Sequence, residues 1–94
     1  NTSDITDMSR LFRFNDTFNG HIELWDVNNV TNMSFMFSYA SKFNQPIGDW
    51  DVSSVIDMNN MFESAHKFNQ LICNWDVSNV TDMSGMFMSA DEFN

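Results

Sequence analysis

Trp50-Asp51-Val52-Ser53-Ser54-Val55-Ile56-Asp57-Met58-Asn59-Asn60-Met61-Phe62 restates, with few changes, what stands 25 residues before it and 25 residues after it. Trp25-Asp26-Val27 precedes it and Trp75-Asp76-Val77 follows. Val30, Val55 and Val80 keep the same register, with Ile5 ahead of them. Met8, Met33, Met58 and Met83 come next, then Leu11, Met36, Met61 and Met86, then Phe12, Phe37, Phe62 and Phe87. Phe18-Asn19, Phe43-Asn44, Phe68-Asn69 and Phe93-Asn94 close each unit, and Ile22, Ile47 and Ile72 lead into the next Trp. No insertion or deletion interrupts four passes, so the repeat governs the fold.

Two shorter periods sit inside each unit. Met33, Met36, Phe37 and Ala40 fall at i, i+3, i+4 and i+7, one apolar stripe of a two-turn helix. Asp7, Asn32, Asp57 and Asp82 precede the first Met of each stripe, as helix N-caps do. Around each Trp the alternation is twofold, with Trp50 and Val52 pointing one way and Asp51 the other. The expectation is an α/β solenoid of the leucine-rich-repeat kind, its 25-residue coils each holding one short parallel strand and one short helix. The units run 1–24, 25–49, 50–74 and 75–94. Neither element is stable alone, since isolated helices are marginal below about 12–15 residues. Stacking would bury Trp, Val, Met, Phe, Ala and Ile in columns. Asn19, Asn44, Asn69 and Asn94 are expected to form a further, buried column, suited to satisfying backbone groups between coils.

The run Asn74-Trp75-Asp76-Val77-Ser78-Asn79-Val80-Thr81-Asp82-Met83-Ser84-Gly85-Met86-Phe87-Met88-Ser89-Ala90, closed by Phe93-Asn94, resembles the 25-residue repeat of mycoplasma lipoproteins and bacterial surface proteins of the BspA-like type. The resemblance covers almost the whole chain. It implies a leucine-rich-repeat solenoid at a cell surface or secreted, acting in adhesion, with no catalytic residues to carry over. The first unit departs from the pattern: Leu11 replaces Met, Asn15 replaces Ala, and Gly20-His21-Ile22-Glu23-Leu24 forms an unusual lead-in. Ending in mid-unit, the chain reads as a segment of a longer array.

Thirteen acidic side chains against four basic ones give a net charge of −9. That argues against nucleic acid and anionic membranes, which both need a positive surface. No stretch approaches the roughly 18 apolar residues that span a bilayer. Cys73 is the single cysteine, so no internal disulfide forms. It has no Cys/His neighbour at metal-ligand spacing, and His21 and His66 fall at different registers. No nucleophile and base converge, so the chain reads as no enzyme, with no cofactor.

Two groups stand out as candidate sites. Asp26, Asp51 and Asp76 form an outward row, read as Asx-type locks on the turns that follow; the alternative is a bound cation such as Ca²⁺. Phe14, Phe35 and Tyr39 face away from the apolar stripe, and in the later units those registers hold Asn60, Ser64, Gly85 and Ser89. Exposed aromatics confined to two units are a candidate partner contact, unless neighbouring repeats of the same chain cover them. Sequons occur at Asn1, Asn15, Asn29, Asn32 and Asn79, which bear on glycosylation only in a eukaryotic secretory context. The expected function is a non-catalytic, surface-displayed protein-binding or adhesion module. The alternative is a scaffold subunit of a larger assembly.

Overall fold

Met33-Ser34-Phe35-Met36-Phe37-Ser38-Tyr39-Ala40 has the spacing of a helix and folds otherwise. The computed structural model describes residues 4–93; Asn94 of the asparagine column and the Asn1 sequon lie outside the described residues. In this segment the N–H groups of Met36, Ser38 and Ala40 donate back to the carbonyls of Met33, Phe35 and Phe37, closing successive turns. The alternate N–H groups, of Met33, Phe35, Phe37 and Tyr39, donate sideways to Asp57, Asn59, Met61 and Glu63. Phe35 and Tyr39 take φ of 58° and 60°, a left-handed backbone that interrupts any right-handed helix.

The physical reason is donor accounting. A two-turn helix would leave its first four N–H groups and its last four carbonyls unpaired, which is about half of its backbone polar groups. Alternating backward and sideways bonds gives each of those donors an acceptor, as buried backbone requires.

The expected α/β solenoid is therefore corrected. Among the described residues there is no helix, and the only extended pairing is a set of isolated parallel bridges, Asp7 to Asn32, Asn32 to Asp57, and Asp57 to Asp82. These are the positions read as helix N-caps. Each side chain instead accepts the N–H two residues on, at 2.8–3.0 Å, and so caps a turn. Strands at Trp-Asp-Val are also missing. Turns close between Ile47 and Trp50 and again between Val52 and Val55, which leaves too few extended residues for a ladder. The cross-link there is a side chain: the indole Nε1 of Trp50 donates to the Ile22 carbonyl at 3.2 Å, and that of Trp75 to Ile47 at 3.1 Å.

The chain packs as four layers in 25-residue register (4–24, 25–49, 50–74 and 75–93) into a compact body of 29 × 27 × 22 Å. Met33, Met36, Phe37, Ala40, Met58, Met61, Phe62 and Ala65 are fully buried, with Trp50 and Trp75 buried beside them and Trp25 half-buried. The burial pattern read from the sequence thus holds in the two inner layers although the elements do not. Ile5, Leu11 and Met83 of the outer layers, expected in the same buried columns, are exposed.

Eight of the ten phenylalanines build the core as two files. Phe12, Phe37, Phe62 and Phe87 stack at 5.5–5.7 Å, and Phe18, Phe43, Phe68 and Phe93 at 5.8–6.0 Å. Within each layer the two rings lie 4.0–4.2 Å apart. Asparagines tie the layers at the edge and not in the buried column expected for them, with Asn19 and Asn69 exposed and Asn44 half-buried. The Asn44 N–H donates to Asn19 Oδ1 and the Asn69 N–H to Asn44 Oδ1, both at 2.9 Å. Amides of Gln45 and Gln70 reach the same two asparagines.

Candidate functional site

The remaining two phenylalanines, Phe14 and Phe35, lie outside the core files. Their positions follow from the backbone. Arg10, Phe35, Asn60 and Gly85 share one left-handed register, with φ of 61°, 58°, 55° and 65°. Phe14, Tyr39, Ser64 and Ser89 share a second, with φ of 64°, 60°, 55° and 58°. Left-handed geometry suits Gly and Asn; for bulky side chains it is an outlier. The third and fourth layers therefore place tolerant Asn60 and Gly85 in the first register, whereas the first two place Arg10 and Phe35 there.

These strained positions bring the predicted aromatics together. Phe14 and Tyr39 are tilted against each other at 5.2 Å between ring centroids. Arg13 bridges the two registers, its guanidinium 4.6 Å from the Phe14 ring centroid and 4.5 Å from that of Phe35. Arg10 lies over Phe35 from the same file at 5.0 Å. Cation–π contacts of this kind contribute about 0.5–1 kcal/mol each at exposed sites. Phe14 stays 61% exposed and Tyr39 43%. A shallow cleft of about 300 Å³ continues from the rings, lined by Phe14, Asp16, Tyr39, Ser41, Ser64 and His66.

Arg10 and Arg13 belong to the patch although the aromatic contrast between units does not select them. The signal was present, since they are half of the chain's four basic residues and lie within four residues of Phe14. Their reach to Phe35 depends on the layer register and the turns, which the helix expectation misplaced.

The aspartate row behaves as turn locks. Asp26, Asp51 and Asp76 are exposed, and their Oδ1 atoms accept the N–H groups of Asn28, Ser53 and Ser78 at 3.0–3.1 Å. The Ser53 hydroxyl adds a 2.6 Å bond to Asp51. Bonds from the hydroxyl and N–H of Ser53 hold the Asp51 carboxyl below its ordinary value, against repulsion from Asp76. Ser78 lowers Asp76 in the same way. Among the described residues no three His, Cys, Asp or Glu side chains are grouped to hold a metal ion, so the cation alternative for Asp26, Asp51 and Asp76 has no geometric support.

The other candidates separate. His21 Nδ1 lies 3.3 Å from Glu23, and His66 Nδ1 2.9 Å from Asp91 in the next layer. Cys73 is an exposed free thiol. Of the sequons, Asn15, Asn29 and Asn79 are exposed, while Asn32 is half-buried and locks its own turn. No helix of the described residues is long and apolar enough to cross a membrane.

A family model described as Mycoplasma protein of unknown function, DUF285, matches residues 1–94. No curated protein and no solved structure matches.

Proposed function

The chain belongs to the family described as Mycoplasma protein of unknown function, DUF285, and from that premise we propose that it is a non-catalytic, surface-displayed protein-binding module of the BspA-like type. Its Trp-Asp-Val and Phe-Asn spacing supports the BspA-like assignment. One observation carries the binding reading: Arg10, Phe14, Phe35 and Tyr39 occupy left-handed backbone where the later layers manage with Asn60, Ser64, Gly85 and Ser89. A left-handed L-residue costs roughly 1–2 kcal/mol. Every layer keeps these left-handed turns, Ser64 and Ser89 included, but the later layers hold them with small side chains or glycine. The fold therefore does not require arginine and aromatic side chains there. Strain held against local preference concentrates at ligand clamps and switch regions. Aromatics and arginine are also the side chains that dominate interface energetics.

The test is photo-crosslinking on intact cells that make the protein. A benzophenone amino acid at position 14 or 39 should yield a covalent adduct with a second protein. The same group at Asn28, exposed in another turn, should not. Adducts from all three positions alike, or from none, would overturn the proposal.

A further inference from the structure

We propose that the patch takes a peptide segment in which a carboxylate adjoins an apolar side chain. The carboxylate sits on Arg10 and Arg13, and the apolar group packs against Phe14 and Tyr39. This rests on the protein-binding reading and specifies the partner's chemistry.

Charge complementarity carries it. Among the described residues no carboxylate lies within ion-pair distance of Arg10 or Arg13, whereas Lys67 is paired with Glu92 at 3.0 Å. Glu63, which follows Arg13 and Ser38 in its register, accepts the Ser38 hydroxyl at 3.2 Å instead. The Arg13 Nε is shut from solvent without an acceptor among the described residues. Both guanidiniums lie over one ring, Phe35, which limits their freedom before a ligand arrives. A guanidinium fork held in this way matches a carboxylate's two oxygens.

The apolar half follows from the cleft beyond Phe14 and Tyr39. Asp16 is among its lining residues, so a second carboxylate placed there would be repelled while an aliphatic or aromatic side chain would not. The chain's net charge of −9 opposes an acidic partner at long range. At physiological ionic strength that field is screened beyond about 8 Å, and at contact the two arginines decide. Extended polyanions fare worse, since they need a continuous basic surface.

The experiment is selection of a random peptide display library on the chain itself. We expect enrichment of Asp or Glu next to an aliphatic or aromatic residue. A selected peptide with its Glu or Asp changed to Gln or Asn should bind about tenfold more weakly or worse, a loss of about 1.4 kcal/mol. The Arg10→Gln, Arg13→Gln variant should bind both peptides equally weakly, with its fold checked by thermal unfolding. If that variant does not fold, the peptide pair on the unchanged protein still decides. Enriched peptides without an acid, or equal binding of the acid and amide pair, would overturn this inference and leave the protein-binding reading standing. Failure of any peptide to enrich would overturn both.

Discussion

Phe35 and Asn60 hold the same left-handed backbone one layer apart, with φ of 58° and 55°, though only asparagine tolerates it well. The pair makes an asymmetric prediction. Asn60→Phe puts a bulky residue into that geometry without arginines to cover it, and should cost about 1–2 kcal/mol. Denaturant unfolding measures this. A neutral Asn60→Phe would show that the left-handed turns exert no selection on residue type.

Phe37 lies at the centre of the stacked files, fully buried and packed against Phe12, Phe43, Trp50 and Phe62. Phe37→Ala should destabilise by about 3–5 kcal/mol, the range for large aromatic truncations in cores. Phe87→Ala, at the half-buried edge of the same file, should cost clearly less. Equal losses in the two variants would contradict the layered core.

Gly48 approaches the Leu71 carbonyl so closely that a Cβ at position 48 would collide with it. That backbone oxygen has no rotamer by which to withdraw. Gly48→Ala should therefore cost about 1–3 kcal/mol, as overpacking does, read as a lower unfolding midpoint at unchanged slope.

Acid should weaken the fold. Serine donors hold Asp7, Asp51 and Asp76 below the ordinary carboxylate value of 3.8, and the Ser84 N–H does most to lower Asp82. A carboxyl with a lower pKa when folded than when unfolded adds stability above its unfolded value and loses it as pH falls through the folded one. Thermal midpoints should hold down to about pH 4–5 and drop below about pH 4, less steeply in Asp51→Asn. Rising stability on acidification would mean that mutual repulsion of the acidic side chains outweighs these local bonds.

How much of this was legible varies by level. The 25-residue register, the buried Met, Phe and Ala positions of the inner layers and the aspartate locks follow from residue type and spacing. The burial expected for Met83 and for the asparagine column does not occur. The elements did not, because i, i+3, i+4 spacing of apolar residues fits a run of short turns as well as a helix. Asn59-Asn60 and Ser84-Gly85, inside the supposed helices, were turn signals of the ordinary kind. Phe35 and Tyr39 hid the same turns in the second layer, because nothing in an aromatic residue announces left-handed backbone. Two members of the patch, Arg10 and Arg13, needed the layer register before their contacts with Phe14 and Phe35 could be seen.

The most direct test of the account is a paired measurement on Phe35→Asn with Tyr39→Asn. Asparagine relieves the left-handed strain at both positions while removing the rings that hold Arg10, Arg13 and Phe14. Lost cation–π and ring contacts and relieved strain are of similar size, about 1 kcal/mol each, so they should nearly cancel. The account predicts a thermal unfolding midpoint close to that of the unchanged chain and loss of the adduct formed from a crosslinker at position 14. A large drop in the midpoint with the adduct retained would contradict it, because these residues would then serve the core and not a partner.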